Sequence, residues 1–579
     1  MLPIDLAGAG IPRDILLRFS TSLATQGFSL GPQGMLRILL ARDLLDRGIS
    51  PLCPTDRATL LVEPGPDYWI AGPLLLPRRL SCMACLRHWL RTTRLPDAPD
   101  RAGDVTPCEP AALRMIAALA SQYLAGNPSP YVTDGLVSVA ADGRGVVHPI
   151  HPVRGCWECG DRIRHGPAEG IRVHCSPLTG IIRHMEIGAA PEGGLYHAAA
   201  TFFTPPPALG DRVLLRPRHA YGRGATAEEA EISCLAEALE RYSIIYRGDE
   251  PVVQARFGDL PGAVSPNLIL HFSERQFAGR DRWNPAHSEF QNVPVRFDPE
   301  TAVGWVEAQR IAGGPPAWLP AAHCYMWYAF QPGEPRIALS DSNGCALGRT
   351  VEEATLSGLM ELVERDAVAI WWYNRLRRPA LPPEELEDEP LRSVMATFAA
   401  MGRPIQLLDI ATDLGIPVVA AIAPHESGTE PFFASSANWS RRAAARKAVW
   451  EVCQIWHSVT RRKQCGEELA AWLLTATTLT EPWLVPDGVA PAHADLDSGD
   501  APRGLAAAVE RLQSAGLDPL VLDLSRNDVA LPAVRVVVPG LRHFWARFGA
   551  GRLYRTPVRM GWLSEPTQED ALNPICCMI

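Results

Sequence analysis

The chain has 579 residues, an apolar fraction of 47%, a charged fraction of 21% and a formal net charge of −9. That length exceeds one ordinary core and predicts two to four domains of folded, globular protein. The acidic balance excludes an overall basic field for nucleic acid or an anionic membrane.

No window approaches 18 uninterrupted apolar residues, so no transmembrane helix is expected. The N-terminal MLPIDLAGAGIPRDILLRFS lacks the basic and then apolar pattern of a secretion signal. A cytoplasmic protein is the expectation. There, 14 cysteines point to metal binding, buried thiols or catalysis rather than a disulfide framework. The final Cys576-Cys577-Met578-Ile579 fits a prenylation box, a pattern given little weight here.

In chain order, the first part reads as mixed α/β. The apolar run at 35–45 (MLRILLARDLL) predicts a helix, and alternation at 60–62 and 68–70 predicts short strands. A Pro/Asp-rich patch (LPDAPDRAGD) interrupts it, and an Ala/Leu-rich helix is expected over 111–124. The Gly-, Pro- and His-rich 142–155 reads as a loop leading to Cys156. From about Arg172 a longer α/β texture runs to the end. Segments 378–389 and 482–502 read as surface excursions, and the stretch after Gly561 reads as a tail.

The most informative feature is a self-match at an offset of 124 residues. GATAEEAEISCLAEALER (224–241) aligns without a gap on GRTVEEATLSGLMELVER (348–365), with 10 of 18 positions identical. Duplication of one supersecondary unit explains this. Each copy predicts a helix whose N-cap is Thr226 or Thr350, with Glu229 or Glu353 three residues on as the capping-box partner. For Glu229, capping is the preferred role.

On a helical period Ser233, Glu237 and Glu240 share one face, and Ser357, Glu361 and Glu364 repeat it. Each face adjoins an apolar stripe, so two packed copies could bring four carboxylates to a common edge. Such a cluster resists ionisation without cations. Mg²⁺ accepts carboxylate oxygens and completes its shell with water and phosphates, which makes a metal-nucleotide site the leading reading. Arg241 and Arg365, after each pair, could neutralise an acid or meet a phosphate. The alternative is two solvated Glu faces with Arg partners.

These two segments, with CSPLTGIIRHME (175–186), SDSNGCALG (340–348), VVVPGLRHF (536–544) and TPVRMGW (556–562), resemble the YcaO superfamily, in particular its azoline-forming cyclodehydratases. The likeness spans about 175–579. It implies an α/β (α+β) fold of the YcaO type with duplicated helix-bearing halves, binding ATP and Mg²⁺ without a Walker A loop. No such loop occurs in this sequence. By that resemblance Glu237, Glu240, Glu361 and Glu364 match metal-coordinating acids, and Glu353 a further nucleotide-site acid. Arg365 matches a phosphate contact, and Arg223 stands where azoline-forming members often have Lys. Ser233 and Arg241 are carried as further nucleotide-site candidates.

The implied reaction converts Cys, Ser or Thr of a ribosomal precursor peptide to thiazoline or oxazoline, with ATP phosphorylating the amide-derived oxygen. Thioamidation, amidine formation or a non-catalytic peptide scaffold are the alternatives. Many azoline-forming members end in Pro-x-Pro-x-Pro. Here the ending is LNPICCMI, which keeps Asn573-Pro574 and makes Cys576 or Cys577 near the site conceivable.

In the N-terminal third, Cys82/Cys85 and Cys156/Cys159 form a CxxC…CxxC pair that could complete a structural Zn²⁺ site. The stretch DYWIAGPLLLPRRLSCMACLRHW resembles the zinc-binding E1-like partners of azoline-forming YcaO enzymes. The expectation is a truncated E1-like docking domain at 1–165 fused to a YcaO domain at 166–579. Expected partners are the precursor peptide, a separate leader-binding protein, an azoline dehydrogenase and a second copy of the chain. The isolated His174, His184 and His323 show no triad or metal spacing and are read as structural.

Overall fold

The computed structural model describes residues 2–46, 48–49, 53, 56–76, 83–93, 108–133, 135–151, 170–189, 194–203, 217–460, 467–492, 496, 499–526, 528–529 and 531–577. Its N-terminal part builds a seven-stranded sheet from β1 (Leu2–Ala9), β2 (Phe28–Leu30), β3 (Leu36–Ala41), β4 (Ala58–Glu63), β5 (Tyr68–Leu75), β6 (Gly135–Ala140) and β7 (Gly145–Pro149). Their order is β2-β1-β3-β4-β5-β6-β7. Strands β1 to β4 run parallel, and β4 to β7 are antiparallel neighbours.

Two expectations are corrected here. Residues 35–45 hold strand β3, not a helix. Ile38 and Leu40 enter a core with Phe19, Trp69 and Ile116. Leu39 and Ala41, on the opposite face, enter one with Leu86, Trp89 and Leu235. A strand covered on both faces is apolar at every position, and period alone cannot separate it from a buried helix. The expected loop at 142–155 contains β7, an edge strand whose Val146 and Val147 are exposed. The strands near 60 and 70 and the helix Glu109–Leu124 lie where the sequence places them.

The second core continues beyond the sheet: Leu39, Leu61 and Ile70 belong to the same buried cluster as Ala230, Leu235 and Leu239 of the first repeated helix. That helix, Ala227–Ser243, follows a meander of β8 (Ile182–Ala189), β9 (Tyr196–Phe203) and β10 (Pro217–Gly224). A six-stranded sheet then combines β11 (Val253–Ala255), β12 (Val303–Arg310), β13 (Ala317–Pro320), β14 (Cys345–Leu347), β18 (Leu520–Asp523) and β19 (Ala533–Val537). The second repeated helix, Val351–Asn374, leaves β14. An antiparallel sheet of β15 (Gln406–Asp409), β16 (Val418–Ala423) and β17 (Phe432–Ala437) leads into the helix Arg441–Thr460. The fold class is mixed α/β, as the sequence indicates.

The C-terminal segment is not a free tail. Trp372 Nε1 donates to the Ile575 carbonyl at 2.7 Å, and Asn573 N to the Tyr373 carbonyl at 2.8 Å. Cys576 and Cys577 are buried in the core around the end of the second repeated helix. An aperiodic segment can be firmly packed when its polar groups are satisfied by a neighbour.

Candidate active site

Both repeated helices begin with the same local chemistry. Thr226 Oγ1 accepts the Glu229 N–H at 3.1 Å, and Thr350 Oγ1 accepts that of Glu353 at 3.2 Å. Each glutamate reaches back one residue beyond the cap: Glu229 accepts Ala225 N at 2.8 Å and Glu353 accepts Arg349 N at 3.0 Å. The shared glycines have a steric reason. A Cβ on Gly224 would stand 2.7 Å from Ala230 N, and one on Gly348 2.5 Å from Ala354 N. Strand and helix therefore meet closely in each copy, and that fixes where the later carboxylates project.

The two acid faces meet across one cavity of about 590 Å³. Ser233, Glu237, Glu240 and Arg241 line it from the first helix. Ser357, Glu361, Glu364 and Arg365 line it from the second. These eight residues thus converge, whereas Arg223 and Glu353, also expected at the nucleotide, lie outside the lining. Arg223 stands close by, its Nη2 donating to Glu451 at 2.6 Å. Glu353 remains at the helix start, paired with Arg349 at 2.7 Å. Cys576 and Cys577 are not among the lining residues.

The carboxylates are turned toward arginines and backbone N–H groups. Glu237 accepts Tyr221 N at 3.3 Å, and Glu361 accepts Gly344 N at 2.9 Å. Glu364 is bound by Ser435 Oγ at 2.8 Å and Ala437 N at 3.3 Å. Arg365 spans the second pair, at 2.7 Å from Glu364 and 3.2 Å from Glu361. Arg241 is looser, at 3.7 Å from Glu237 and 4.0 Å from Glu240.

Burial drives the titration here. It pushes Glu240 up to about 8 against the pull of Arg241, with Glu361 and Glu237 adding to the rise. It pushes Glu364 up to about 7, opposed by Arg365. Glu237 is raised for the same reason. The lining holds five carboxylates against three cations, which leaves acid charge uncompensated. That surplus fits a divalent cation, whose charge would return the acids to their ionised form. Among the described residues, no three His, Cys, Asp or Glu side chains already converge on one ion position.

Sequence reasoning missed a third wall, formed by the end of β17 and by Lys447 and Glu451 of the Arg441–Thr460 helix. A signal was available. Ser440 caps this helix by accepting the Ala443 N–H at 3.3 Å. Counted from Ser440, Glu451 falls eleven positions on, as Glu237 does from Thr226 and Glu361 from Thr350. Lys447 falls where the repeats have Ser233 and Ser357, and Gln454 where they have Glu240 and Glu364. Only a buried alanine at the fourth position, Ala444, Ala230 or Ala354, is otherwise common to all three near their starts. The resemblance is too thin to stand out in the sequence alone.

Of the four cysteines read as zinc ligands, Cys82, Cys156 and Cys159 lie outside the described residues. Cys85 is buried in the helix Met83–Thr93. His174 and His323 are buried, and His174 Nε2 bonds the Val529 carbonyl at 2.8 Å. His184 is exposed beside Glu186.

A family model described as YcaO cyclodehydratase, ATP- and Mg²⁺-binding, matches residues 221–542, more than half of the chain. The chain belongs to the YcaO family. The match starts beside Arg223 and ends at Arg542, so it encloses both acid-bearing helices and the third wall. A heterocyclase solved in complex with substrate and cofactor superposes with a TM-score of 0.83 at 28% identity, over 100% of this chain and 85% of that one. The heterocyclase TruD superposes at 0.74 with 27% identity, over 100% and 84%. An uncharacterised protein of Methanothermobacter thermautotrophicus is 26% identical over 335 residues, 56% of this chain and 81% of its own length. The description of the matched family is the one that names ATP and Mg²⁺ binding. The N-terminal sheet is covered by the heterocyclase matches and lies outside the family model.

Proposed function

We propose that this YcaO-family chain is an ATP-dependent cyclodehydratase that forms azolines from Cys, Ser or Thr of a ribosomally made peptide. The observation that carries the reading is the meeting of Glu237 and Glu240 with Glu361 and Glu364 across one acid-rich cavity. An amide oxygen is a poor leaving group, and a phosphorylated one is a good one. The side-chain nucleophile adds to the preceding carbonyl carbon, and its proton is lost. The resulting oxygen takes the γ-phosphoryl group of ATP, releasing ADP. Phosphate then departs as the amide nitrogen loses its proton and the C=N bond forms, so the net change in the peptide is loss of one water.

Catalysis of this kind is positioning and charge neutralisation. Glu237, Glu240, Glu361 and Glu364 would hold Mg²⁺, which would supply neutralisation of the phosphate charge. Arg365 meets the phosphates from the second helix, and Arg223, once released from Glu451, from strand β10. Ser233 and Arg241 complete the first-helix side. The N-terminal sheet acts as the docking unit, with leader recognition and azoline oxidation on separate proteins.

The test uses Glu361→Gln and Glu364→Gln, which keep shape and remove charge. Each should abolish peptide-dependent phosphate release and the loss of water seen by mass spectrometry, while the melting temperature is kept. Full activity in both variants refutes the site. A product in which oxygen is exchanged for sulfur, rather than water lost, points to thioamidation at the same site.

A further inference from the structure

Arg365 does not stand on its two glutamates alone. Its Nε donates to Asn343 Oδ1 at 3.0 Å, and its guanidinium lies over the Phe544 ring at 4.7 Å. Asn343 is itself held. Its backbone N–H donates to Asp341 Oδ1 at 2.9 Å, and both residues are buried, at 7% and 8% exposure.

Asp341 is gripped in turn by three donors from other elements. His543 Nε2 donates to Oδ2 at 2.7 Å and Trp545 Nε1 to the same oxygen at 3.1 Å. Arg535 Nη2 approaches Oδ1 at 3.5 Å, and its Nη1 donates to the Asp341 carbonyl at 2.6 Å. The tautomer of His543 follows from its other nitrogen. Nδ1 accepts the Trp545 backbone N–H at 3.1 Å, so the ring proton sits on Nε2 and points at Asp341. Phe544, between these two aromatic donors, provides the face on which Arg365 rests.

We propose that Asn343 is a positioning residue for Arg365, and that Asp341, clamped by His543, Trp545 and Arg535, holds Asn343 in place for it. The inference rests on the reading of Arg365 as a phosphate contact, and it adds the device that aims it. A planar guanidinium bound by Glu361 and Glu364 on its Nη side can still swing about that edge. A bond at Nε fixes the plane, which matters for a bidentate phosphate contact. The same network ties the loop before β14 to the segment after β19, so the arginine is aimed from the sheet and not only from its own helix.

The test is a double-mutant cycle on peptide-dependent ATP turnover, with Asn343→Ala and Arg365→Lys separately and together. Lysine keeps the charge and cannot donate from Nε. Asn343→Ala alone should lower kcat roughly tenfold, as expected for loss of a hydrogen bond to a charged group, with a melting temperature close to the native one. In the Arg365→Lys background the same change should cost less than about twofold.

Equal losses in both backgrounds mean that Asn343 acts independently of Arg365, and overturn the proposal. An unimpaired Asn343→Ala variant overturns it too. If Arg365→Lys is as active as the native enzyme while Asn343→Ala is impaired, the phosphate reading of Arg365 and this proposal fall together. Should Asn343→Ala fail to fold, Asn343→Asp retains the oxygen facing Nε. It should keep kcat within about threefold, and a larger loss counts against the proposal.

Discussion

The two sister helices carry the same acids in different settings. The first, Ala227–Ser243, has 17 residues, and the second, Val351–Asn374, has 24. The second continues into Trp371, Trp372 and Tyr373, all buried, with Trp372 stacked on Phe433 at 4.9 Å. Its Glu364 has a hydroxyl, a backbone N–H and an arginine as partners. Glu240, at the equivalent position, has only Arg241 at 4.0 Å as a close ionic partner among the described residues. The residue after each arginine is an anchor, but of different chemistry. Tyr242 donates to the buried Asp528 at 2.5 Å, whereas Asp366 is bound by Arg552 at 2.7 Å. The second half of the site is thus preformed by hydrogen bonds, and the first would gain most from a bound cation.

The largest effect that would break this comparison is on catalysis. Glu364→Gln should lower turnover at least about a hundredfold, because it removes charge where the protein has invested its hydrogen bonds. Glu240→Gln should also impair turnover, and its signature in the cation-free protein is opposite in kind. Burial holds native Glu240 protonated up to about 8, whereas the unfolded chain releases that proton near the ordinary 4.5. Between those values the native state binds the extra proton, so this group's contribution to stability is fully present below pH 4.5 and is lost as pH rises toward 8. In Glu240→Gln that part of the decline should vanish. Urea unfolding at pH 5 and pH 8.5 without Mg²⁺ reads it directly. An unchanged slope would mean that Glu240 is not desolvated as the geometry indicates.

A smaller effect sharpens the same point. Glu240 at about 8 and Glu364 at about 7 are partly protonated at neutral pH, and a divalent cation requires both ionised. Binding of Mg²⁺-ATP at pH 7 should therefore release protons, and affinity should rise from pH 6.5 to pH 8.5. Calorimetry in buffers of different ionisation heat measures the release. Glu240→Gln should reduce it.

Much of this site was legible because a duplication repeats its acids in register. Thr, Glu, Ser and the Glu-x-x-Glu-Arg ending fix a cap, a face and a direction, and the folded helices keep all three. Strand β3 was misread because burial on both faces erases the period on which the reading depends. The third wall escaped because its helix keeps only a cap, an alanine and one acid from the repeat, with Lys447 and Gln454 at positions the sisters give to Ser and Glu. Asn343 and His543 lay within segments already singled out by resemblance, yet their roles depend on side chains from opposite ends of the half meeting at Asp341. No local pattern encodes such a contact.

The smallest expected effect separates capping from catalysis. Glu229 and Glu353 each accept the backbone N–H of the residue before the cap, so alanine at either should cost about 1 kcal/mol of stability. The difference lies in what each faces next. Glu229 has only its cap to serve, and Glu229→Ala should leave the KM for ATP and kcat unchanged. Glu353 stands one helical turn beyond the lining residue Ser357, and its carboxylate is held by the exposed Arg349 at 2.7 Å. If the triphosphate extends past Ser357, Glu353→Ala should raise the KM for ATP several-fold at unchanged kcat. Matched kinetics for the two variants would instead make both glutamates helix caps and confine the nucleotide to the side chains that line the cavity.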